Sequence, residues 1–214
     1  MDEAHMFNIQ NNFIGTFQKN KWLLPLCIFL VLLTIGFIYY LITPKETTAC
    51  FPTGKEKSIR ELNEVILKLT AKKPDSLFRN QAALFVNAGK KYRVDPILLL
   101  SIAMLETDRG TSSALKKYNN PGGIMKTDNP SDFESFPTVQ AGIETMAWTL
   151  RSYYLSEQKL TPAQIGPKWS PIDADNDPHQ TNHTWVENVQ FFVSEFNGLT
   201  YQCKIIKEDI PDRP

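Results

Sequence analysis

The residue whose surroundings most invite chemistry is Glu106. It closes the run Pro96-Ile-Leu-Leu-Leu-Ser-Ile-Ala-Met-Leu-Glu106, which holds no other ionisable side chain. At 100° per residue, Ile97, Leu98, Leu99, Leu100, Ile102, Ala103, Met104 and Leu105 cover nearly the whole circumference of a helix. A helix apolar on all sides is a buried one. The same spacing sets Glu106 between Leu99 and Ile102, away from Ser101. Desolvation there favours the neutral carboxylic acid. An acid kept protonated near neutral pH can donate its proton to a leaving oxygen. Read on periodicity alone, a last-turn glutamate facing solvent is the competing account.

The elements that must hold this residue read mainly as helices. Ile59, Leu62, Ile66 and Leu69 form an amphipathic stripe that Pro74 ends. A second helix is expected from Ser76 to Tyr92, with Asp75 as its N-cap. Asp95 and Pro96 supply an N-cap and first-turn proline for a third, Pro96 to Thr107, with Gly110 just past its end. A loop rich in Gly, Asn, Asp and Pro covers Tyr118 to Ser131, with a short hairpin expected around Ile124-Met125 and Phe133 to Phe136. Thr138 opens another helix, with Ile143, Met146, Ala147, Leu150 and Tyr154 along one face. Thr161-Pro162 starts a brief helical turn, and irregular chain is expected from Gly166 to His183. Trp185, Val189, Phe192 and Phe196 line a last helix that Asn197-Gly198 stops.

Ahead of this domain, Trp22 to Ile42 is uncharged and apolar over a length that matches the hydrocarbon core of a bilayer. Trp22, Tyr39 and Tyr40 stand at its ends, where amphipathic rings favour the interface. The run exceeds a signal-peptide core and no small-x-small site closely follows it. A membrane helix is therefore expected, with the C-terminal domain outside because the chemistry that the domain's likeness implies, below, belongs there. Flanking Lys19 and Lys21 against Lys45, Lys55, Lys57 and Arg60 do not set the orientation. The division expected is a tail at 1–21, a transmembrane helix at 22–42, a linker at 43–56, a helical domain at 57–200 and a tail at 201–214.

Lys+Arg and Asp+Glu each total 23, so the formal charge is zero and nucleic acid is excluded as the main partner. Of the cysteines, Cys27 lies in the apolar span. Cys50 and Cys203 bracket the domain and would pair in an oxidising compartment; two free thiols is the other reading. Asp173, Asp175 and Asp177 alternate like the start of a calcium loop, but Pro178 and Thr184 stand where Gly and Glu are needed. His179 and His183 lack a third ligand. No metal and no cofactor is called for.

The stretch Leu99 to Met125, LLSIAMLETDRGTSSALKKYNNPGGIM, resembles the glucosaminidase family of bacterial autolysins. The matching pieces are Glu106, Gly110-Thr111-Ser112, Asn119-Asn120 and Gly123-Ile124. Phe133-Glu134-Ser135-Phe136, Ala141-Gly142-Ile143, Ile165 to Trp169, Asn176-Asp177-Pro178 and Trp185 continue the likeness over most of residues 90 to 197. Two departures stand out. Thr107-Asp108 follows the glutamate where a Ser-Gly pair is common, and Trp169-Ser170 stands roughly where a late tyrosine is expected.

The resemblance implies a mainly helical, lysozyme-like domain with a small β-hairpin or loop lobe, whose groove holds a strand of peptidoglycan. Glu106 would be the general acid. Asn119, Asn120 and the backbone at Gly123 would line the groove floor. Glycoside hydrolysis usually needs a second carboxylate. Glu134 is the choice, ahead of Asp128 and Asp132, unless the substrate's N-acetyl group does that work. Of the aromatics Tyr118, Phe133, Phe136, Trp148 and Trp169, only Trp169 is nominated to the groove. The function implied is a membrane-anchored endo-β-N-acetylglucosaminidase, with peptidoglycan and the lipid bilayer as partners. A lytic transglycosylase or muramidase of the same fold, and an inactive glycan-binding part of an envelope machine, are the alternatives.

Overall fold

The computed structural model describes residues 23–129, 132–172, 174, 177 and 181–214. The expected tail 1–21, Trp22, and the calcium-loop and histidine positions Asp173, Asp175, Pro178 and His179 lie outside the described residues. The chain divides into two compact units, Met1–Pro44 and Lys45–Pro214.

In the first unit, α1 (Leu23–Ile42) is a 20-residue helix, LLPLCIFLVLLTIGFIYYLI. The side chains described on it, 24–40, are exposed throughout. Among the described residues no helix is long and apolar enough to cross a membrane. At about 1.5 Å per residue the 20 residues of α1 rise about 30 Å, the thickness of a hydrocarbon core.

The second unit is mainly helical: α2 (Ile59–Leu69), α3 (Ala82–Tyr92), α4 (Pro96–Glu106), α5 (Ser113–Tyr118), α6 (Val139–Tyr153), α7 (Pro162–Trp169) and α8 (Trp185–Glu195). Short 3-10 turns occupy Leu155–Glu157 and Thr181–Thr184. The central element is α4. Every residue from Pro96 to Met104 is buried, as its unbroken apolar run requires. It packs against α3 and α8, while α3 packs on α6 and α7 on α8.

Asp95 fixes where α4 begins. One carboxylate oxygen accepts the Ile97 amide at 2.8 Å as an N-cap. The other accepts the amides of Thr200 at 2.6 Å and Tyr201 at 2.7 Å. The helix that carries Glu106 is thus tied to the far end of the chain.

The stretches expected as linker 43–56 and tail 201–214 instead pair with each other. β1 (Glu46–Pro52) and β2 (Tyr201–Lys207) form a two-stranded antiparallel sheet. Cys50 stands opposite Cys203, and a disulfide joins them. Thr47, Thr48, Ala49 and Cys50 are buried in succession. They are held by the fully buried Arg151, which donates to the Thr48 carbonyl, and by Gln158 on the Thr48 hydroxyl. The Cys50 amide donates to the Arg93 carbonyl at 2.9 Å. ETTACFP has neither the alternation nor the apolar run that announces a strand: both faces are covered from Thr47 to Cys50, two of the covered residues are threonines, and the partner strand lies far along the chain.

Three local expectations also change. The second helix begins at Ala82 rather than Ser76, and Asp75 does not cap it. Ser76 accepts the Phe78 amide at 3.2 Å and donates to the Arg109 carbonyl at 2.6 Å, and Asn80 turns to φ 61°. Side-chain bonds of this kind compete with helix formation. Among the described residues the hairpin reduces to the bridge Met125 to Phe133. The turn after Thr161 grows into the whole of α7, with a capping box between Thr161 and Gln164.

Candidate active site

Glu106 stands in the last turn of α4, with part of its surface open. Two indole groups reach its Oε1. Trp169, at the end of α7, donates through Nε1 at 2.9 Å. Trp185, the first residue of α8, donates through Nε1 at 2.8 Å. Their rings lie 6.4 Å apart at 31°. Gly166 permits this: a Cβ there would lie 2.5 Å from Val186 Cγ2 and 3.1 Å from Trp185 Cε3. Without a side chain at that point, α7 closes on α8 and both indoles converge on one carboxylate.

The other oxygen, Oε2, faces Gly123. A Cβ added to Gly123 would stand 3.1 Å from Oε2 and has no other neighbour on that side except the same carboxyl group. Gly123 also takes φ 62°, in the left-handed region that favours glycine. Bare backbone therefore borders the free oxygen of the acid.

Burial pushes the Glu106 carboxyl above the ordinary glutamate range, while the Trp185 and Trp169 N–H groups pull it partly back. The net direction is upward, toward the neutral acid that desolvation favours. No charged side chain is among the causes. Tyr154, whose ring lies 5.5 Å from that of Trp169, senses Glu106: burial, then Glu157, then Glu106 push its hydroxyl up to about 12.

The two asparagines do not line a groove with their side chains. Asn120 is fully buried, and its amide donates to the carbonyls of Ile124 at 2.7 Å and Glu134 at 3.0 Å. Its oxygen accepts the Ile124 amide at 3.0 Å. Asn119 ends α5 at φ 53° and donates to the Phe136 carbonyl at 2.8 Å. A buried backbone that leaves regular structure needs such partners. Both residues hold the loop lobe in place and set Gly123 beside Glu106.

Glu134 belongs to the same lobe. Its amide donates to the Ile124 carbonyl at 2.8 Å, so its backbone is one residue removed from Gly123. Its carboxylate, partly exposed, lies 3.9 Å from Arg213. Asp132 accepts from Asn129 at 3.1 Å, and Asp128 is exposed. Phe136 is core, while Phe133 is exposed beside Tyr118, their rings 6.1 Å apart.

Trp169 thus meets the acid itself rather than serving as an open platform. Trp185, Tyr154 and Arg213 are the neighbours that sequence reasoning missed. Trp185 carried a signal, as an aromatic opening an amphipathic helix, but the same signal reads as core. Asp177, in the calcium-like run, accepts the Thr181 and Asn182 amides at 2.9 and 2.8 Å and caps the 3-10 turn. Among the described residues, no group of three or more His, Cys, Asp or Glu stands together as a metal site.

Comparisons with known proteins bear on the family. The glucosaminidase family model, described as mannosyl-glycoprotein endo-beta-N-acetylglucosaminidase, matches residues 82–197. No curated protein matches significantly. Among solved structures, Staphylococcus aureus Autolysin E in complex with the muropeptide NAM-L-ALA-D-iGLU is 19% identical, covering 79% of this chain and 76% of that one, with TM-score 0.48. A catalytic mutant of Autolysin E in complex with the disaccharide NAG-NAM is 20% identical over 73% of this chain and 72% of that one, at 0.49. The catalytic domain of the autolysin Auto from Listeria monocytogenes is 16% identical over 67% and 89%, at 0.42. The matched segment runs from α3 to the end of α8 and contains Glu106, its two indoles and the Gly123 lobe, and on that match the chain belongs to the glucosaminidase family.

Proposed function

We propose that the protein is a membrane-anchored peptidoglycan hydrolase that cuts β-1,4 glycosidic bonds as an endo-β-N-acetylglucosaminidase. One observation carries the chemistry. Within the family-matched segment, Glu106 is half-buried, pushed toward its neutral form, bonded at one oxygen and unobstructed at the other. Such a group is a general acid for a glycosidic oxygen. The family description names a glycoprotein substrate. The choice of peptidoglycan follows the motif resemblance to autolysins, and two of the similar solved structures hold peptidoglycan fragments.

Glu134 serves as the second carboxylate. Asn120 and Ile124 pin its backbone beside the Gly123 segment that borders Oε2. A glycan lying along Gly123 would have Glu106 on the α4 side and Glu134 on the loop side. Anchoring rests on α1, whose apolar side chains stand exposed at more than half their area, as in Phe37 at 63% and Leu32 at 61%. A continuous exposed apolar surface of that kind needs a non-aqueous or protein partner, and the uncharged run from Trp22 supports lipid.

The test is digestion of purified peptidoglycan followed by mass analysis of the new ends. The reading predicts reducing N-acetylglucosamine ends. Anhydro ends would make the enzyme a transglycosylase, and absence of cleavage would leave the glycan-binding alternative. Carbonate extraction of membranes tests the anchor: the chain should stay in the pellet.

A further inference from the structure

Two of the sequence's four tryptophans donate to the same atom, Glu106 Oε1. We infer that Trp169 and Trp185 are positioning residues that confine the transferable proton of Glu106 to Oε2, on the Gly123 side. This rests on the proposed role of Glu106 as the acid and goes beyond it by assigning the reacting oxygen and the residues that select it.

A carboxyl oxygen has two acceptor sites. Both sites on Oε1 are filled, by indoles arriving from two different helices, α7 and α8. A proton on Oε1 would displace one of them and leave an N–H without a partner, which is costly out of water. Oε2 meets no such donor, and the backbone facing it has no side chain. A neutral Glu106 therefore holds its hydrogen on Oε2, aimed into the space that Gly123 leaves open.

The step balances without any co-reactant besides water. The Oε2–H bond breaks and an O–H bond forms on the glycosidic oxygen as its bond to the anomeric carbon breaks. The electron pair stays on the carboxylate. Both indole N–H groups are already in place for the charge that develops, so they need no reorganisation. Water then gives its hydroxyl to the anomeric carbon and its proton restores the acid.

Other charged groups near this end of α4 are turned away. Asp108 pairs with Lys73. Arg109 lies over the Phe192 ring, 5.3 Å from its centre. Lys168 on α7 donates to the Tyr153 carbonyl and pairs with Glu157. Tyr154 is the titratable neighbour that senses Glu106, and burial, then Glu157 and Glu106, push its hydroxyl up to about 12.

The experiment follows the indole 15N–1H resonances of the full chain in detergent micelles while Glu106, labelled with 13C at the carboxyl, is titrated. The Trp169 and Trp185 signals should move together with the Glu106 midpoint, the Trp148 signal should not, and the movement should vanish in Glu106→Gln. Kinetics on peptidoglycan fragments give the second readout. Each N–H stabilises the carboxylate, so Trp169→Phe and Trp185→Phe should raise the alkaline limb of kcat/KM by about one pH unit. They should lower kcat about tenfold with KM held within about twofold. Indole signals indifferent to the Glu106 titration would overturn the inference, whatever becomes of the variants. So would folded variants whose alkaline limb does not move. Failure of the proposed function looks different: the native chain would then cut no glycan, or Glu106→Gln would cut it as fast as the native chain does.

Discussion

Replacing both Cys50 and Cys203 with alanine should be the most damaging change that leaves the active site untouched. The disulfide closes a loop of 153 residues. In the chain-entropy treatment, a loop of that length restricts the unfolded chain by about 5 kcal/mol at 25 °C. Domains of this size have about 5 to 15 kcal/mol in total, so the double variant would retain a fraction of its stability. A two-stranded sheet is marginal by itself, and here its supports include the Arg151 and Gln158 bonds to Thr48, the bond from the residue 50 amide to the Arg93 carbonyl, and the Asp95 bonds to Thr200 and Tyr201. At about 2 to 4 °C per kcal/mol for a domain of this length, Tm should fall by about 10 to 20 °C. Thermal unfolding by circular dichroism, with and without reductant on the native protein, measures this. Reduction should reproduce the double variant. A native protein with three free thiols, or a double variant melting within about 3 °C of the native, would refute the reasoning.

Glu106→Gln should raise Tm at neutral pH, because burial lifts the folded carboxyl above its unfolded value. A raised carboxyl adds stability below its unfolded pKa and loses it as pH rises through its folded pKa. The gain of the variant should therefore fade on acidification and be absent below about pH 4, which melting curves across pH will check. Asn120→Ala should cost about 3 kcal/mol by denaturant unfolding, since it strands the partners of three hydrogen bonds, and should loosen the Glu134 lobe to proteolysis. Gly142→Ala should cost about 2 to 3 kcal/mol, because a Cβ there would lie 2.1 Å from the Asn119 carbonyl oxygen and 2.6 Å from Pro121 Cδ.

How much was legible depended on how local the signal was. Caps and stops read directly: Asp95, Thr138 and Thr161 cap helices, and Asn197 and Gly198 turn to φ 66° and 93° where a stop is expected. The burial of α4 followed from its composition, and with it the desolvation of Glu106. What escaped was long-range. Strand β1 looked like linker because its partner lies some 150 residues away. Ser76 and Asn80 broke the start of α3 through contacts with the Arg109 loop and a left-handed turn. The family resemblance assigns Asn119 and Asn120 to the groove floor, yet their side-chain amides hold backbone. The Trp169–Trp185 convergence needs two helices brought together at Gly166, which no spacing within one segment can show.

The account turns on Glu106, and one comparison tests it most directly. Purified peptidoglycan is digested with the native chain and with Glu106→Gln at equal amounts, and released fragments are quantified by mass spectrometry. Glutamine keeps the acceptor for both indoles and removes the proton from Oε2. The variant should melt at least as high as the native protein and release glycan at a rate lower by at least about two orders of magnitude. A folded Glu106→Gln protein that cuts peptidoglycan at near-native rate would contradict the assignment of the general acid and the mechanism built on it.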